Sequence, residues 1–131
     1  MIKNLMDNTT INLKATGMDL TDAIRDYVEN RVTNLSKLLS KVESDVLIEF
    51  EVAKTTNHHN NSEHLYRAEC RVTFSGEDFY TQEESSDLYA SIDAVKDKIF
   101  RDVRDSRDRS RNLFIRNARK IKKRIKGFKP W

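Results

Sequence analysis

The stretch Asp87-Leu-Tyr-Ala-Ser-Ile-Asp-Ala-Val-Lys-Asp-Lys-Ile-Phe-Arg-Asp-Val-Arg-Asp-Ser-Arg-Asp-Arg-Ser-Arg111 decides how the chain must fold. Leu88, Ile92, Val95, Ile99 and Val103 recur at spacings of three and four, so a helix gathers them on one narrow stripe. Arg101, Arg104, Arg107 and Arg111 then fall on the opposite and flanking faces. One side of this helix needs burial and another is strongly cationic. After Val103 the stripe passes to Ser106 and Ser110, so burial should end there and the helix can continue beyond the domain. Asp97, Asp102, Asp105 and Asp108 lie among the arginines. Pairs spaced three or four residues apart stabilise a helix by roughly 0.2–0.5 kcal/mol each.

The strands that such a helix covers are legible upstream. Ile11, Leu13 and Ala15 alternate with Asn12, Lys14 and Thr16, a short half-buried strand ended by Gly17. A helix over about Leu20–Lys41 follows, capped by Asp19 or Thr21, with Leu20, Ile24, Tyr27, Val28, Val32, Leu35, Leu38 and Leu39 on its apolar face. Strand, helix and strand read as a crossover between parallel strands. The second strand, about Asp45–Ala53, turns Val46, Ile48, Phe50 and Val52 one way. The third, about Leu65–Phe74, turns Tyr66, Ala68, Cys70, Val72 and Phe74 inward. Glu49 and Glu51 can then face Arg67 and Arg71 on the solvated side. The polar run Lys54–Glu63 reads as a long hairpin loop, and Ser75-Gly76-Glu77-Asp78 as a tight turn into a short fourth strand, Phe79–Glu83. Ser85, Ser86 or Asp87 caps the opening helix.

The order is β-α-β-β-β-α, an α+β two-layer sandwich. A four-stranded mixed sheet carries both helices on one face and leaves the other open. Residues 1–9 read as a disordered lead, 10–111 as the domain, and 112–131 as a basic amphipathic tail. In the tail Phe114, Ala118, Ile121, Ile125 and Phe128 recur at helical spacing.

Composition narrows the function. The chain of 131 residues has a net charge of +3, unevenly placed. Lys96–Trp131 holds fifteen Lys/Arg and four Asp/Glu, a net +11, while residues 1–95 carry −8. An acidic body with a basic end suits a polyanionic partner, nucleic acid before membrane. No apolar run approaches the roughly 18 residues of a membrane span, and no signal-peptide core opens the chain. A soluble intracellular, cytoplasmic protein is expected. Cys70 is the single cysteine, which excludes an intramolecular disulfide.

Candidate chemistry is sparse. His58, His59 and His64 are the one cluster with metal-ligand atoms, but no Cys or well-placed carboxylate completes a set, so no metal is expected. Cys70 reads as a core residue. No nucleophile-base arrangement or phosphate-cradling loop appears, so neither enzymatic activity nor a cofactor is expected. Binding remains. Lys98, Arg101, Arg104, Arg107, Arg109 and Arg111 can track an RNA or DNA backbone, guanidinium groups meeting phosphate as planar forks. The tail, with Arg116, Arg119, Lys120, Lys123, Arg124 and Trp131, can thread along RNA, dock in a partner's groove or lie on an anionic membrane. RNA ranks first and membrane last.

The segment Asp87-Leu-Tyr-Ala-Ser-Ile-Asp93 resembles the Asp-Met/Leu-Tyr-Ala-Ala-Ile-Asp signature of the ribosome hibernation-promoting factor and ribosome-associated translation inhibitor family. Lys98, Ile99 and Arg101 fit its continuation. Leu20-Thr-Asp-Ala-Ile-Arg25 is similar to its first-helix start, and Arg31, Leu35 and Lys37 to the pattern that follows. The resemblance covers about residues 11–110. It implies a fold like a double-stranded-RNA-binding domain, bound to the small ribosomal subunit between head and body, where it occupies transfer-RNA and messenger-RNA sites. By position, Arg31, Lys37, Lys98, Arg101, Arg104 and Arg107 are the implied contacts to ribosomal RNA. Asp105 stands where the family usually has Lys, and Asn34 replaces a common Lys. The basic tail departs from the acidic tail of familiar short forms. The expectation is a short-form translation inhibitor, monomeric off the ribosome; the alternative is a general double-stranded-RNA or nucleic-acid binder.

Overall fold

The computed structural model describes residues 2–6, 8–55 and 65–127, with side chains over 8–55 and 65–119. The chain runs β1 (Ile2–Met6), β2 (Thr9–Thr16), α1 (Asp22–Leu38), β3 (Val46–Lys54), β4 (Tyr66–Phe74), β5 (Glu77–Ser85) and α2 (Leu88–Gly127). The α+β two-layer architecture and the β-α-β-β-β-α order of its main elements are as the patterning requires. β2 and β3 are parallel, from Thr9 opposite Val46 to Thr16 opposite Ala53, with α1 as the crossover between them. β3, β4 and β5 continue the sheet antiparallel.

Alternation explains why these segments are strands. Val46, Ile48, Phe50 and Val52 are buried on β3, and Ala68, Cys70, Val72 and Phe74 on β4. Both helices cover that one face. Ile24, Val28, Val32 and Leu35 of α1 join Leu88, Ile92, Val95, Ile99 and Val103 of α2 in a single core. Thr21 is the cap of α1, its hydroxyl accepting from Ile24 N at 3.2 Å. Asp87 serves α2 similarly, its carboxylate accepting from Tyr89 N at 3.3 Å. Ser75 and Gly76, with φ of 49° and 77°, make the two-residue β4–β5 turn. Positive φ at both positions matches the twist of a hairpin.

The structure departs from the patterning in four places. First, Ile2–Met6 is not a disordered lead but a fifth strand, antiparallel to β2. Its residues do not alternate, so no period marks it; it forms because the outer edge of β2 offers unpaired backbone groups. Asn8 anchors the hairpin: its side-chain amide donates to Val42 O at 2.6 Å and Ser44 O at 3.0 Å, and its backbone carbonyl accepts from Val46 N at 2.7 Å. Second, β5 runs the full nine residues of its partner rather than five. Third, Glu49 lies opposite Arg71 as expected, but Glu51 faces Glu69 and Arg67 faces Ala53. Glu51 instead accepts a hydrogen bond from Thr16, and that bond, against the opposing effect of burial, holds its carboxyl below the usual range. Fourth, burial on α2 extends one turn past Val103. Ser106 is buried and donates to Glu77 on β5 at 3.3 Å.

The expected His58, His59 and His64 cluster and most of the long hairpin loop lie outside the described residues. Cys70 is buried in the sheet, where burial, with a smaller contribution from Glu49, pushes its thiol up to about 12.

Candidate nucleic-acid interface

The apolar stripe of α2 binds it to the sheet, and most of the charged side chains off that stripe are presented to solvent. Arg101, Arg104, Arg109 and Arg111 are exposed, and Arg107 is half-buried. Helical geometry divides them. Arg101 and Arg104 line a groove between the helices with Lys96, Asp97 and Phe100, faced from α1 by Asn34, Lys37 and Leu38. Arg107 and Arg111 continue the same flank at helical spacing. Lys98 turns to the opposite flank, where its ammonium meets Glu83 of β5 at 3.5 Å. Arg109, about three turns on, shares that flank. The sequence-derived set is therefore split: Lys37, Arg101, Arg104, Arg107 and Arg111 share one flank of the helical layer, and Lys98 and Arg109 belong to the other.

Arg31 stands apart in a different way. Its Nε donates to Asp93 Oδ1 at 3.0 Å, and its guanidinium lies 3.4 Å from the ring centroid of Tyr27. Tyr27 in turn donates to Asp93 Oδ2 at 2.7 Å and meets Tyr89 edge-on, ring centroids 4.7 Å apart. Two residues of α1 and two of α2 thus clamp the helices together. Burial opposes ionisation of Asp93, but the bonds from Tyr27 and Arg31 outweigh it and lower its pKa. The Tyr27 hydroxyl is raised, chiefly by its bond to the carboxylate. Arg31 is a brace with part of its guanidinium left over, rather than a cation free for a ligand. The sequence holds a signal for this clamp that residue typing alone misses: Tyr27/Arg31 and Tyr89/Asp93 are each a tyrosine with a charge four positions on.

Asp105, the acid within the basic run, lies 3.7 Å from Arg104 Nε, both side chains about half exposed. It draws charge from the flank at that point. Beyond Ser106 the helix leaves the sheet without a break at residue 112. Arg116 and Arg119 are exposed there, as are Leu113, Phe114 and Ile115. The side chains of Lys120, Lys123 and Arg124, and Trp131 as a whole, lie outside the described set. No acidic residue follows Asp108.

The opposite face of the sheet is mixed in charge. Asn12, Lys14, Glu49, Glu51, Glu69, Arg71 and Tyr80 line a shallow depression there. Arg71 is neutralised by Asp78 at 2.6 Å. Among the described residues there is no group of three or more potential metal ligands. None of their helices is long and apolar enough to cross a membrane.

Fold and charge together define the class: a two-layer α+β domain with exposed cations along its helical layer and a mixed-charge open sheet. Within that class the chain belongs to the family described as Sigma 54 modulation protein / S30EA ribosomal protein, which matches residues 11–111. It is 29% identical to the ribosome hibernation promoting factor of Azotobacter vinelandii over 71% of this chain and 78% of that protein. It is 32% identical to the ribosome hibernation promotion factor of Picosynechococcus over 75% of this chain, but spans only 49% of that relative's length. Among solved structures, the N-terminal domain of Thermus thermophilus Protein Y superposes with a TM-score of 0.53 at 30% identity, covering 70% of this chain and 94% of that one. A ribosomal subunit interface protein from Coxiella burnetii, at 19% identity and a TM-score of 0.50, shares the fold.

Proposed function

We propose that this protein is a ribosome hibernation factor. It binds the small ribosomal subunit near the decoding region and inhibits translation by occupying transfer-RNA and messenger-RNA sites. The observation that carries the reading is the cationic flank of Lys37, Arg101, Arg104, Arg107 and Arg111, on a chain whose relatives are named ribosome hibernation factors. The flank sits on rigid helices, so its charges are held at fixed spacing, as a folded RNA surface demands. Lys98, Arg109 and the remaining guanidinium edge of Arg31 contribute at the margins. The protein acts by occupancy in the cytoplasm, as a monomer off the ribosome. The helical arm beyond Ser106 extends about 30 Å if it keeps the α-helical rise to Gly127. Its Arg116 and Arg119 support the reading of an arm laid along RNA or a ribosomal protein.

Cosedimentation with purified small subunits through a sucrose cushion, at graded salt, tests the reading. Binding should be strong at low salt and weaken steeply as salt rises, because each neutralised phosphate releases counterions. A protein that stays in the supernatant even at low salt would sink the proposal. Equal competition by naked RNA duplex would replace it with a general double-stranded-RNA binder.

A further inference from the structure

The groove between α1 and α2 is more than a row of charges. Its cavity of about 680 Å³ has a floor of Phe100 and Leu38, both partly buried against the core, and a rim of Asn34, Lys37, Lys96, Arg101 and Arg104. The one acid on its edge, Asp97, is spent on Lys96 at 2.6 Å. Lys37 and Arg101 form no ion pair among the described residues. A regular RNA duplex needs only the rim, since its bases are stacked inside the helix and its outer surface is phosphate and sugar. An apolar, aromatic floor beneath a cationic rim has another use. Bases taken out of the stack settle on aromatic side chains while cations hold the adjoining phosphates.

We propose that this groove holds a single unstacked nucleotide of an RNA strand, its base on Phe100 and Leu38 and its phosphates among Lys37, Arg101 and Arg104. Asn34, exposed at the mouth, supplies an amide that both donates and accepts and so can meet a base edge. The clamp of Tyr27, Arg31, Tyr89 and Asp93 lies about one turn towards the N-terminus of α2 and holds the two walls at their spacing. The volume falls within the roughly 300–1,000 Å³ typical of small-ligand sites. The inference rests on the RNA-binding reading above. It adds that the partner carries an extruded base rather than an uninterrupted duplex.

The test uses the full chain and two RNA probes, a duplex of about 16 base pairs and the same duplex with one bulged 2-aminopurine. The wild type should bind the bulged RNA about tenfold more tightly and change the fluorescence of the bulged base, as stacking on a side chain does. Phe100→Leu keeps an apolar floor but removes the ring, and should reduce the preference to about twofold or less. Arg101→Ala should weaken binding to both probes alike. Should Phe100→Leu lower the melting temperature, the exposed substitution Asn34→Ala carries the test and should also reduce the preference. Equal affinity for the two probes in the wild type overturns the inference. So does a preference that both Phe100→Leu and Asn34→Ala leave intact. These outcomes are separate from the ribosomal reading, which wild-type cosedimentation and its competition by naked duplex decide.

Discussion

Asp93 shows how much a single carboxylate can hold. It ties α1 to α2 through Tyr27 and Arg31, and the two bonds keep it ionised despite its partial burial. Its folded pKa lies below its unfolded one, so its contribution to stability is fully present above about pH 4 and fades as pH falls through the folded value. Asp93→Asn should lower the melting temperature at pH 7, by about 1 kcal/mol of stability. The penalty should shrink as pH drops below about 4, where the wild-type carboxylate is itself being protonated. Thermal melts of both proteins from neutral to acid pH check this; parallel curves throughout would remove the clamp's electrostatic role. At the groove, Arg104 and Asp105 show the reverse: an acid placed beside a cation lowers the positive charge of the flank.

At the scale of the element, α2 is two helices in one. Through Ser106 it is a core element; from Asp108 on, its described side chains are exposed, including three large apolar ones. Because nothing after Asp108 is buried among the described residues, ending the chain after Arg111 should leave the melting temperature within about 1 °C of the intact protein. The same truncation removes eight Lys/Arg. It should weaken association with small subunits and flatten the slope of log affinity against log salt. An unchanged slope would leave the arm without a role in RNA binding. The division of the arginines is also an effect of the element. Arg101 and Lys98 are near neighbours in sequence but face different flanks, one lining the groove and one paired with Glu83.

Taken whole, the molecule is an electrical dipole with a fixed geometry: a mixed-charge sheet on one side, a cationic helical flank on the other, and a basic arm projecting from one end. The layers are closed at the far edge by the β1–β2 hairpin, which Asn8 fastens to the loop between α1 and β3. Asn8→Ala would leave the carbonyls of Val42 and Ser44 without this donor and should cost about 1–2 kcal/mol. A fall of several degrees in melting temperature would register it; no change would show that water replaces the amide. Gly17 is held by the same kind of long-range constraint. At φ +69° its Cβ position would lie 3.0 Å from Lys54 O, so a side chain there meets both backbone strain and a fixed neighbour.

Much of this was legible in the residues themselves. The two-residue alternation of β3 and β4 and the three-four spacing of Leu88, Ile92, Val95, Ile99 and Val103 are local properties, because a strand and a helix each impose their own period on whatever must be buried. The parallel β2–β3 pair followed from a helix lying between two strands. The opening motif at Asp87–Asp93 and the charge split at Lys96 pointed to the family and to a polyanion. What periodicity could not supply was anything depending on partners distant in the chain. β1 has no pattern of its own and exists because β2 offers an edge. Glu51 faces Glu69 because register is set by the whole pairing. Arg31 looked like a free cation until Asp93, far along the chain, came within 3.0 Å. The groove likewise has one wall on each helix, and neither wall marks a site alone. The sequence by itself determined which faces are buried and where the charge lies, since both follow from residue type at a fixed period. Only the tertiary structure decided which charges are neutralised, which remain on one flank, and that an aromatic floor lies between them, because those depend on distances the folded chain alone sets.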